Sequence, residues 1–283
     1  MDLTYFLEHY SEPQILAAGG LLVGIVFGAC AQQSRFCLRA ATLDLAHGVF
    51  AVVAQASLRG ILKPGREWVA GWWTTADIGG NDLAAHLSLS STFTIGFALV
   101  WFAAGVFFVL RAKTPFWQAV AACGAGLAIP LAWSFTSSMA SQAFDPVQVE
   151  GVTFTGPSAD TLMLFLSPPG SIFDFDIGLV PGVFLGSFLA ALLTRELALQ
   201  GFEGGRSMAR YLTGAALMGF GGMLAGGCAV GAGVTGASIF AVTAWITLTA
   251  IWLSAAVTDR IINRPSKASM TSLSSKPEIQ PVS

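Results

Sequence analysis

A chain of 283 residues that is 54% hydrophobic and 11% charged, with 14 basic against 16 acidic side chains, is too apolar for a water-soluble globular domain. The near-balanced charge and the lack of a basic stripe exclude nucleic acid as a partner. A mean hydropathy of +0.68 makes the lipid bilayer the expected solvent.

A bilayer core of about 30 Å takes about 20 residues of helix. Apolar runs of that order at 15–31, 38–58, 92–110, 117–137, 178–198, 211–227 and 238–258 predict seven main spans, with shorter or re-entrant pieces between them. The runs are continuous and rich in Ala, Leu, Val and Gly, so they read as helices rather than as the alternating strands of a barrel. The expected fold class is an all-α polytopic membrane protein.

The first run follows Asp2, Glu8, His9 and Glu12 instead of a basic leader, so it reads as a retained helix. It carries Gly20, Gly24 and Gly28 in a GLxxGxxxG pattern that returns at Gly178, Gly182 and Gly186. Glycine at four-residue spacing makes a smooth helix face that another backbone can approach closely in lipid. Each copy opens one half of the chain, and paired halves with broken helices are a frequent transporter plan.

Next comes Phe27 to Ala41, FGACAQQSRFCLRAA, which sets Gln32, Gln33, Ser34, Arg35 and Arg39 beside an apolar stretch. Two readings stand: an interfacial loop with arginines reaching lipid phosphates, or the wall of a cavity. If the backbone stays helical, Cys30 and Cys37 share one face and Arg35 and Arg39 a neighbouring one. Arg35 can serve an anion or pair with Asp44. Asp44 and His47, three apart, read as a contact between helices, as a proton relay or as a ligand pair.

Arg59, Lys63, Arg66, Arg111 and Lys113 carry the charge expected of cytoplasmic loops, which requires residues 67–91 either to cross weakly or to dip and return. Cys123 has no polar neighbours in AVAACGAGLAIP and reads as a small buried hydrophobe. Between Lys113 and Arg195 no basic residue occurs, while Asp145, Glu150, Asp160, Asp174 and Asp176 do, so the loop over about 138–177 is expected outside the cytoplasm. Arg195, Arg206 and Arg210, and then Arg260, Arg264 and Lys267, place the 199–210 loop and the carboxyl end inside.

The stretch GGCAVGAGVTG, Gly226 to Gly236, is too glycine-rich to continue a helix well. It reads either as a tight turn between spans or as unwound backbone lining a cavity, with amides and a helix start near Ser238 turned to an anion. The four cysteines include no CxxC pair and no zinc spacing, so neither metal nor cofactor is expected. Walker A and GxSxG elements are absent, which leaves no recognisable ATPase or serine hydrolase chemistry. Residues 1–264 form one expected transmembrane domain, its halves at about 15–137 and 178–258. The Ser- and Pro-rich tail over 265–283 is expected to be disordered.

GACAQQSRFCLRAA, FDFDIGLVPGVFLGSFLAALLTREL and GFGGMLAGGCAVGAGVTGAS together resemble the YeeE/YedE family of bacterial inner-membrane proteins, whose characterised branch takes up thiosulfate. The resemblance is strongest over Asp174 to about Ser254, clear over Gly20 to Asp44, and weak between 60 and 137. It implies two pseudo-symmetric halves whose long spanning helices, short re-entrant helices and loops meet at a central constriction. It also implies a transporter rather than an enzyme, with a sulfur-containing anion passed between cysteines that match Cys37 and Cys228, and in some members a small TusA-like sulfur carrier as partner. The thiosulfate branch has a second Gly-Gly-Cys element in the first half; here Phe102-Ala103-Ala104-Gly105 stands in its place.

The expected path is therefore Cys37, Cys228 and Cys30 with Gln33, Ser34, Arg35, Gly226, Gly227, Gly231 and Gly233. Near neutral pH an ordinary thiol is mostly protonated and offers a weak donor that lets an ion both enter and leave. A membrane-bound sulfurtransferase, carrying a persulfide on Cys37 or Cys228, is the alternative; no base stands near Cys228 in sequence to activate it.

Overall fold

The computed structural model describes residues 4–34, 45–72, 80–166, 173–197 and 205–262. Their regular elements are α1 (Thr4–His9), α2 (Glu12–Ser34), α3 (Leu45–Leu58), α4 (Lys63–Ala70), α5 (Leu83–His86), α6 (Ser91–Arg111), α7 (Phe116–Gln142), α8 (Thr155–Leu166), α9 (Phe175–Leu193) and α10 (Gly205–Leu224). A π-helix (Ala229–Thr235), α11 (Gly236–Ser238) and α12 (Val242–Ile262) complete the order. Among the described residues the only extended pairing is an isolated bridge between Asp82 and Ala241.

Six helical stretches are long and apolar enough to cross a membrane, which makes the protein an all-α polytopic membrane protein. The expected span over 38–58 is described only as α3, whose 14 residues rise about 21 Å. Wide apolar surfaces are left bare: Leu99, Val100, Trp101, Phe102, Phe107 and Phe108 of α6 are all exposed. Such a surface is an aggregation liability in water and is at home against lipid tails.

The centre is a pair of parallel helices joined through the repeated glycines. A Cβ on Gly20 would strike the Phe175 carbonyl, one on Gly24 that of Leu179, and one on Gly28 that of Val183. Reciprocally, a Cβ on Gly178 would strike Ala17, one on Gly182 Leu21, and one on Gly186 Ile25. Each glycine thus meets the carbonyl three residues before its counterpart in the other copy. Glycine is needed because α2 and α9 touch backbone to backbone.

α7 runs antiparallel to α2, with Phe135 against Gly19 at one end and Gly124 against Cys30 at the other. α3 and α10 run parallel, since Ala215 packs with Phe50 and Gly219 with Phe50 and Ala54. The stretch expected as a plain loop after α7 contains α8, which packs on α3, α9 and α10. Its start is buried through Thr155, Pro157, Ser158 and Ala159.

The charge pattern separates Arg59 from Asp160, which the fold brings together. Arg59 is expected inside and Asp160 outside, yet the guanidinium of Arg59 stands 3.7 Å from the Asp160 carboxylate. The end of α3 therefore lies at the level of α8. The loop-charge rule counts cations near span ends and is blind to a cation drawn off by a specific acidic partner. Downstream, Asn81 to Leu83 pairs with the chain before α12: Leu83 N–H donates to Phe240 at 3.0 Å and Val242 N–H to Asn81 at 2.9 Å. Cys123, expected buried, lies on an exposed face of α7.

Candidate functional site

The glycine-rich stretch is broken over a shorter length than the sequence suggests. α10 ends at Leu224, and an irregular stretch follows through Cys228. Helical turns resume at Ala229, well before Ser238, in the wide π form that often marks functional positions. Gly226 takes φ +78°, a left-handed conformation that costs other residues about 1–2 kcal/mol. The Gly227 N–H donates to the Gly222 carbonyl at 2.8 Å, and a Cβ on Gly227 would stand 2.7 Å from the Ala232 nitrogen. Gly231 is packed against Thr153, and Gly233 against Leu248. These glycines let the chain turn tightly and let neighbours close on the π-helix.

Cys228 sits at the foot of the π-helix, 8% exposed, and its carbonyl accepts from the Ala232 N–H at 2.8 Å. It belongs to one packed cluster with Phe27, Ala31, Val152, Phe154 and Val230, against which Cys30 and Trp133 also lie. The same extended cluster reaches two of the expected cysteines, Cys228 within it and Cys30 at its edge. Cys30 is half-buried and faces Gly124 of α7. Gln33 and Ser34 are half-buried in the last turn of α2, where the Ser34 hydroxyl donates to the Ala31 carbonyl at 3.4 Å. Arg35, Arg39, Cys37 and Asp44 lie outside the described residues, as does the His47 side chain.

The wall facing the π-helix comes from residues 150–155, within the stretch whose charge predicts an extracytoplasmic loop. Thr235 donates its hydroxyl to the Val152 carbonyl at 2.6 Å, and Gly151 sits between Thr235 and the Trp133 indole. Thr136 of α7 holds the same segment, donating to the Glu150 carbonyl at 2.8 Å and accepting from the Glu150 N–H at 3.1 Å. Residues 150–155 therefore run along the π-helix and on to Gly222, which abuts Thr155. The available signal was the threonine in Gly-Val-Thr-Gly: a hydroxyl in an otherwise apolar run needs a partner.

Beneath this wall carboxyl groups gather. Burial, with the charges of Asp174 and Asp160, raises the Glu150 carboxyl above its ordinary range, opposed by a hydrogen bond from Asp176. A hydrogen bond between two carboxyl groups requires a proton between them. Burial also raises Asp160, opposed by Arg59.

Comparison with known proteins decides the family. The family model described as sulphur transport matches residues 4–257, nearly the whole chain. The chain belongs to the sulphur transport family. That description is one of transport, not of catalysis. The thiosulfate transporter TsuA of Escherichia coli (strain K12) is 30% identical over 136 residues, covering 45% of this chain and 36% of TsuA. The match thus spans about a third of the length of that relative.

Proposed function

We propose that the protein carries a small sulfur-containing anion, thiosulfate or a related ion, inward across the inner membrane of a bacterium. The observation that carries this reading is Cys228, buried at a break in a membrane helix and packed in one cluster with Cys30 of the other half. Thiols that stay protonated are weak donors, and a file of weak donors holds an ion without trapping it. Cys37, seven residues beyond Cys30 in sequence, is the next member we assign to the file, and Arg35 the positive charge that favours an anion. Gln33, Ser34 and the backbone at Gly226 add polar contacts beside it. The two halves, related by the GLxxGxxxG repeat, close around this file to leave a narrow waist. The carboxyl terminus is cytoplasmic, and a TusA-like carrier is the partner suited to receive sulfur there.

Membrane-bound sulfur transfer fits less well, because a residue as enclosed as Cys228 is out of reach of a soluble carrier protein. The test is growth of an uptake-deficient bacterial strain on thiosulfate as sole sulfur source, with the unmodified chain and with Cys37→Ala and Cys228→Ala. Rescue by the unmodified chain and loss in both variants is expected. Unchanged growth with both variants overturns the cysteine path. A persulfide on Cys228 without net uptake into vesicles overturns transport in favour of sulfur transfer.

A further inference from the structure

Four elements, α3, α4, α8 and α10, pack on one another beside the break, and polar side chains face inward there without partners. Ser57 and Thr155 are 0% and 1% exposed and Ser158 is 3% exposed, yet none of their hydroxyl oxygens has a hydrogen-bond partner. The buried hydroxyl of Thr161, one turn beyond Ser158 on α8, has none either. The Nε of Arg66, on the less exposed face of α4 shared by Leu62, Val69 and Ala70, is likewise buried and unpaired. In lipid-embedded protein such groups call for a partner, and an ordered water, an ion or a ligand can supply it.

The helix register brings Ser57 and Thr155 to one level, and α4 with Arg66 packs on α3 and α10 there. Ala54 of α3 faces Gly219 of α10, so one turn further along these parallel helices Ser57 comes level with Gly222. Thr155 closes on the same glycine: a Cβ on Gly222 would stand 3.0 Å from its hydroxyl oxygen. Asp160, on the same helix as Ser158, is paired with Arg59, which offsets its charge, while Arg66 brings a buried guanidinium nitrogen that has no partner among the described residues. Hydroxyl donors with a guanidinium suit the oxygen atoms of a small oxyanion. Gly222 lies four residues before Gly226, about one helical turn from the break that carries Cys228.

We infer that Ser57, Thr155, Ser158 and Arg66 form an oxyanion-binding site that holds the ion by its oxygens next to the Cys228 break. The inference rests on the transport reading for the identity of the ion, but the site is testable without it. Thiosulfate and sulfate binding to the detergent-purified chain is measured by calorimetry, alongside thiosulfate uptake into vesicles. Ser57→Ala/Ser158→Ala and Arg66→Gln are expected to weaken thiosulfate binding by at least tenfold, with Arg66→Lys restoring part of it. The melting temperature without ligand stays level or rises in the serine variant, because alanine removes buried groups that have no protein partner. Loss of binding in the variants while the unmodified chain shows no uptake supports the site and overturns transport. Unchanged affinity in both variants, or no binding of either anion to the unmodified chain, overturns the site.

Discussion

Gly24 and Gly182 face each other across α2 and α9 so closely that the Gly182 Cα lies 3.0 Å from where a Cβ on Gly24 would stand. Gly24→Val is expected to force the helices apart and to lower stability by about 1–3 kcal/mol, the usual range for overpacking. The control is Gly96→Ala on α6, where a Cβ meets open space and the melting temperature in detergent stays unchanged. Equal melting of the two variants would contradict backbone contact between α2 and α9.

Gly226 has φ +78° and nothing within 4 Å of where its Cβ would stand, so conformation alone demands glycine there. Gly226→Ala is expected to lose about 1–2 kcal/mol. Gly226→Asn, which tolerates left-handed backbone better, recovers part of that loss. Chemical denaturation of the three proteins in detergent gives the ranking, and asparagine no better than alanine would show that the turn is not strained.

The Thr235 hydroxyl ties the π-helix to the Val152 carbonyl at 2.6 Å. Thr235→Val keeps the volume and removes the donor, at a cost of about 1 kcal/mol. Because this bond holds the wall opposite Cys228, uptake should fall more than stability does. A variant that melts early yet transports normally in vesicles would leave the bond a purely structural tie.

Glu150 sets the sign of a pH effect. Its carboxyl is raised in the folded protein by burial and by Asp174 and Asp160. The stability it contributes is full below the ordinary value of 4.5 and is lost as pH rises through the raised one. Asp160 acts in the same direction. Glu150→Gln should therefore flatten the fall in melting temperature above that pH, and a variant that falls as steeply as the unmodified chain refutes the assignment.

The long helices were legible because lipid imposes one demand, about 20 apolar residues, and six stretches meet it over nearly the expected ranges. The GLxxGxxxG echo was legible as a packing face, though not that its two copies pack against each other. Helix α8 was not legible: twelve residues with glycine, proline, serine and aspartate carry no span signal, and α8 is placed by contacts with α3 and α9. In the GGCAVGAGVTG stretch the break was foreseeable from glycine, but its early return to helix depends on Gly231 and Gly233 lying against Thr153 and Leu248. Such contacts between distant segments leave no trace in local composition. Arg59 shows the same limit, since its position follows from Asp160, about a hundred residues away.

The bridge between Asp82 and Ala241 has a mechanical consequence. α6 is bare over its apolar span, and Phe97 rests on the rings of Phe240 and Trp245 beside that bridge. The ring stack of Phe97 ties α6 to the root of α12 beside the two backbone bonds made by Asn81 and Leu83. A thicker or thinner bilayer that tilts α6 would load the chain first at Phe240, two residues beyond α11.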